Sequence, residues 1–80
     1  MTREQAVEIV ESHRRKLDID DELTFHSARR AIVEYLRNPD KPGRPQDRVA
    51  WIVVYAGPDE QVTVHVDDRT GKILRLRRGA

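Results

Sequence analysis

Val49-Ala-Trp-Ile-Val-Val-Tyr55 decides the fold. The run holds only β-branched, aromatic and alanine side chains, long enough for a strand and short for a helix, and neither alternate set of positions is polar. It reads as a central strand buried on both faces. Towards the C-terminus, Gly57-Pro-Asp-Glu60 supplies a turn, after which Val62, Val64 and Val66 alternate with Gln61, Thr63 and His65. That pattern is a half-buried strand with one wet face. A second turn, Asp68-Arg-Thr-Gly71, leads into Lys72-Ile-Leu-Arg-Leu76, so the three runs form an antiparallel meander. Simple alternation places Arg75 and Arg77 with Ile73 on the solvent side, where charge guards an edge strand against pairing. The tail Arg77-Arg-Gly-Ala80 is expected to fray.

Towards the N-terminus, Asn38 to Asp47 holds three of the four prolines and reads as a solvated loop. Leu23 to Leu36 is ambiguous. At helical period Phe25, Ala28, Ile32, Tyr35 and Leu36 share a face; at period two Leu23, Phe25, Ser27, Ala31, Val33 and Tyr35 share one, interrupted by Arg29. Before it, Thr2 can cap a helix with Gln5 as its reciprocal partner, and Ala6, Val10, His13 and Leu17 form a stripe. Glu4 and Glu8 suit the start of that helix, and Arg14, Arg15 and Lys16 its end, before Asp18-Ile-Asp-Asp-Glu22 stops it.

The composition narrows the classes of function. Eighty residues, 38% hydrophobic and 36% charged, make one domain with a thin core. Residues 1 to 22 carry 4 basic and 7 acidic groups, and residues 23 to 48 carry 6 and 3, so the overall charge of +1 conceals a polarity. Such a balance offers no global field to gather nucleic acid or anionic lipid. Zero cysteines exclude a disulfide framework and any thiolate chemistry. No apolar run approaches the roughly 18 residues of a membrane span, and Met1-Thr-Arg-Glu-Gln5 lacks the apolar core of a signal peptide.

Val64-His-Val-Asp-Asp-Arg-Thr-Gly-Lys-Ile-Leu74, preceded by the strand around Trp51 and by the amphipathic Thr2 to Val10, resembles a PepSY domain. The features that carry the resemblance are Thr2 with Ala6, Ala50-Trp-Ile-Val53, and Val64, Val66, Asp67, Thr70, Gly71 and Ile73. They bracket nearly the whole chain, residues 1–80, as a single domain. The resemblance implies an order of helix, strand, long hairpin, strand and strand, which favours a strand within Leu23 to Leu36. It also implies a non-catalytic protein-binding or regulatory module, with a peptidase or an envelope protein as partner, in an extracytoplasmic setting.

Each side-chain group has a sharper reading and a plainer one. Asp67, Asp68, Thr70 and Gly71 invite a cation loop, yet calcium wants about six to eight oxygens in regular spacing. A turn in which an Asp accepts backbone N–H bonds and Gly71 takes positive φ suffices. His13, His26 and His65 show no ligand spacing, and no metal or other cofactor is expected. Trp51 and Tyr55 suit core placement better than an interface anchor. The rival function is nucleic-acid binding through Arg29, Arg30, Arg75, Arg77 and Arg78. The expected fold is α+β: one N-terminal helix packed by Ala6, Val10 and Leu17 on an antiparallel sheet of three to four strands. Its inner residues include Val53 or Val54, Val64, Val66 and Leu74. A second helix within 23–36 stays open, and the exposed edges permit a monomer or a weak dimer.

Overall fold

The computed structural model describes residues 1–35, 43 and 46–79, so the expected proline-rich loop lies largely outside the described residues. One helix, α1 (Arg3–Ser12), precedes four strands: β1 (Thr24–Tyr35), β2 (Gln46–Ala56), β3 (Gln61–Asp67) and β4 (Ile73–Gly79). They pair antiparallel in the order β1-β2-β3-β4, an α+β meander with the helix on one face. Among the described residues no helix is long and apolar enough to cross a membrane.

The helix begins as its sequence dictates. Thr2 is extended and accepts from the Gln5 N–H at 3.2 Å, while its own N–H donates to Gln5 Oε1 at 2.8 Å. These bonds satisfy two of the donors that a helix start leaves free. Regular α-helix stops at Ser12, earlier than the apolar stripe predicts, and no basic residue occupies its last turn. Side chains explain the break, because the His13 ring and the Ser12 hydroxyl both take the Ile9 carbonyl. The chain continues in looser turns to Asp18, whose φ of 56° lets the Ile19 N–H reach the Arg14 carbonyl and the Asp18 N–H reach that of Arg15. This is the bonding of a Schellman motif, with buried Ile19 as its apolar contact.

Leu23 to Leu36 resolves as strand over residues 24–35, and a β-bulge explains why its pattern was ambiguous. Phe25 pairs with Tyr55 but Ser27 with Val54, so His26 is the extra residue. The bulge turns Phe25 and Ala28 to the helix side and Ser27 and Arg29 to the open side, which no single period describes. Phe25 meets Tyr55 edge-on, with ring centroids 6.1 Å apart.

Strand β2 is central and buried on both faces. Val53 and Tyr55 lie under α1 with Val62, Val64 and Val66, all fully buried, and Ala6, Val10, Ile19 and Leu23 close over them. Ala50 and Ile52 are buried on the opposite face. A second bulge corrects the expected facing of β4. Val66 pairs with Ile73 but His65 with Arg75, which leaves Leu74 as the extra residue. Ile73 and Leu76 pack against the core, and Leu74 does not; it lines an open concavity whose walls also include Arg48 and Asp67. Arg77 and Arg78, expected in a frayed tail, belong to β4.

Candidate functional site

Four of the residues that carry the resemblance, Trp51, Asp67, Thr70 and Gly71, meet at one corner. Asp67 is 3% exposed, and it accepts from the Arg69 N–H at 3.1 Å, the Thr70 hydroxyl at 3.0 Å and the Arg48 guanidinium at 3.1 Å. Burial pushes its carboxyl up, but these three donors outweigh it and hold the group below the ordinary carboxylate range. Asp68 accepts from the Trp51 indole N–H at 2.7 Å and from the Met1 amine at 3.3 Å. The indole bond, with the N-terminal charge, holds this carboxyl low as well, against a smaller desolvation. Gly71 has φ of 74° and donates to the Asp67 carbonyl at 2.9 Å, closing the turn. A Cβ there would stand 3.0 Å from the Ile9 side chain.

The motif therefore ties the β3–β4 turn to the Trp51 strand and to the start of α1. Both carboxylates already hold donors, which suits the turn reading. Trp51 lies on the helix side, half-buried against the core, and Ala6 is fully buried in α1. His13 caps the helix, His26 sits on the β1 bulge and His65 faces the open side of the sheet. Among the described residues no three metal-ligating side chains gather.

The arginines divide. Arg29, Arg75 and Arg77 stand on the open face, in the cross-strand rows Arg29–Ile52–His65–Arg75 and Ser27–Val54–Thr63–Arg77. Burial, then Arg75, Arg77 and Arg29 in turn, push His65 below the ordinary histidine value. Arg30 and Arg78 lie on the helix side; Arg78 bonds the Leu17 carbonyl and sits 3.6 Å from Glu60. The five arginines nominated from sequence thus make a three-residue cluster and two outliers.

Three features escaped the sequence reading. Arg48, the ion-pair partner of Asp67, lies 5.9 Å from the Tyr35 ring centroid. Tyr55 donates to Glu11 at 2.8 Å beneath Arg14, and burial, followed by that bond, pushes its phenol well above its ordinary value. Ile32, 72% exposed, faces Val49 on the helix side. Period two running back from Ile52 through Ala50 to Arg48 could have exposed the first; the other two depend on where α1 lies across the sheet. Comparisons with protein-family models, curated proteins and solved structures find no match to this chain.

Proposed function

We propose that this chain is a non-catalytic protein-binding or regulatory module of the PepSY type, acting on a peptidase or an envelope protein outside the cytoplasm. The observation that carries the reading is the division of labour across the sheet. The motif residues Thr2, Trp51, Asp67 and Thr70 are engaged in internal bonds. The face opposite α1 presents half-buried Val54 and the exposed Arg29, Arg75 and Arg77. An open face with two strand edges can receive a partner by docking or by strand addition. The test is a pull-down from source-cell extract at low and high salt, beside a binding panel of peptidases. A defined protein retained at high salt and saturable at micromolar concentration is the expected result. Absence of any saturable protein partner overturns the reading.

The second reading, nucleic-acid binding, draws on the gathering of Arg29, Arg75 and Arg77 on one face. It predicts capture of nucleic acid in the same pull-down, lost steeply as salt rises because each neutralised phosphate releases counterions.

A further inference from the structure

We propose that the outer edge of β4 receives an extended acidic segment of a partner protein, which adds alongside it as a further strand with carboxylates beside Arg75 and Arg77; this rests on the protein-binding reading above. The sheet order gives β4 a single strand neighbour, β3, so the main-chain groups on its other side face no strand among the described residues. Such a row of N–H and C=O groups is a ready template for another strand. What it accepts is then a matter of side chains.

From Lys72 to Arg78 the chain carries Lys72, Arg75, Arg77 and Arg78 and no acidic residue. Arg78 is paired on the helix side with Glu60. Arg75 and Arg77 are exposed on the open face, and their cross-strand rows contain His65, Ile52 and Arg29, and Thr63, Val54 and Ser27. Neither row holds a carboxylate. Asp67, the acid of β3 on that face, is engaged by Arg48 and Thr70 at the other end of the strand. Among the described residues the cations therefore stand without counter-charge on the strand whose edge is open.

This pattern selects among occupants. A second copy of β4 would set arginine against arginine, which opposes pairing. Nucleic acid finds poor stacking here, since beside Arg29 the rows holding Arg75 and Arg77 contain Ile52, Val54, Ser27, Thr63 and the His65 imidazole, and no Phe, Tyr or Trp. The edge of β1 mixes signs, with Arg29 and Arg30 followed by Glu34. An acidic strand on β4 suits both faces: alternate carboxylates meet Arg75 and Arg77, and the intervening apolar residues meet half-buried Leu76.

The experiment is a fluorescence-anisotropy titration of the whole chain into a labelled peptide of alternating Glu and Val, as long as β4. Saturable binding is expected, weakened about tenfold or more by Arg75→Glu/Arg77→Glu, which reverses two facing charges. The same variant gains affinity for the Lys–Val counterpart. Arg15→Glu/Lys16→Glu makes the same change in net charge at exposed positions after α1 and leaves the affinity unchanged. Circular dichroism checks folding; if the charge reversal unfolds the chain, Arg75→Gln/Arg77→Gln answers the same question. Absence of saturable binding, equal loss in both charge-reversed variants, or tighter binding of a single-stranded oligonucleotide overturns the proposal. In the pull-down, a protein held equally by wild type and by Arg75→Glu/Arg77→Glu overturns the β4 edge and leaves the protein-binding reading standing.

Discussion

Replacing Gly71 isolates what the β3–β4 turn contributes. Its φ of 74° is left-handed, and a Cβ would meet Ile9 Cδ1 at 3.0 Å and Met1 Cε at 3.4 Å. For alanine, the left-handed conformation costs about 1–2 kcal/mol, and reduced freedom of the unfolded chain returns about 0.4–1 kcal/mol. The contact with Ile9 adds little, because the end of a flexible side chain can yield. The net loss is about 1 kcal/mol, a fall in Tm of about 4–8 °C for a domain of this size. Valine adds a branched Cβ that cannot yield, and overpacking of about 1–3 kcal/mol on top of the conformational strain consumes much of the roughly 4–12 kcal/mol available to 80 residues. Asparagine, which tolerates the left-handed region, should fall between glycine and alanine. Urea unfolding followed by circular dichroism and Trp51 emission measures all three, and Ile9→Val in the alanine background separates contact from backbone strain. An alanine variant as stable as wild type, or valine no worse than alanine, would refute the reasoning.

Asp67→Ala should cost about 2–4 kcal/mol in urea unfolding, because three donors, the Arg48 guanidinium among them, lose their buried charged acceptor, and Asp67→Asn should cost less, since it keeps an acceptor for the Arg69 N–H. The Asp67 carboxyl is depressed in the folded state, so its contribution is present above the ordinary value of 3.8 and is lost as pH falls through the folded value; the acid limb of a stability–pH curve should flatten in Asp67→Asn. His65 has the opposite sign of group: its folded value lies below 6.5, so the unfolded chain binds the extra proton and stability declines as pH drops below 6.5. Arg29 from β1, Ile52 from β2, and Arg75 and Arg77 from β4 face it, and an NMR titration in Arg75→Gln/Arg77→Gln should show the His65 value move back up. Deleting Leu74 should leave a folded protein with Arg75 and Arg77 still on the open face, whereas deleting Thr63 should unfold it; equal damage from the two deletions, read by circular dichroism, would show that Leu74 is not the extra residue.

The last of these rests on the feature that limited the sequence reading. The helix start, the central strand and the valine alternation of β3 were legible because local chemistry and burial agree there: Thr2 and Gln5 cap, and Val62, Val64 and Val66 are fully buried. The facing of the two edge strands was legible only in part: Arg75 and Arg77 stand on the open face as alternation predicts, whereas Ile73 and Leu74 do not follow it. In each a single extra residue, His26 or Leu74, shifts the register by one, and alternation read straight through such a point assigns the neighbouring side chains to the wrong face. Straight alternation thus puts Ile73 with the solvent and Leu74 with the core, the reverse of what the pairing gives. The end of α1 was misjudged for a related reason, since His13 and Ser12 compete for the Ile9 carbonyl while the apolar stripe continues to Leu17.

The bulge at Leu74 also bears on why the arginines matter. The turn before it is fixed by Asp67, whose N–H takes the Lys72 carbonyl, so Ile73 must face Val66 on the helix side. Continued without interruption from that point, β4 would turn Arg75 and Arg77 into the valine core and Leu74 and Leu76 out to the open face. Two unpaired guanidiniums facing Val62 and Val64 would cost far more than the few kcal/mol by which such a domain is stable. The extra residue resolves that conflict: it returns Leu76 to the core and sets both arginines on the open face beside the free edge. The same bulge that makes this sequence compatible with its sheet is therefore what brings the cations of β4 to the surface where an acidic strand can meet them.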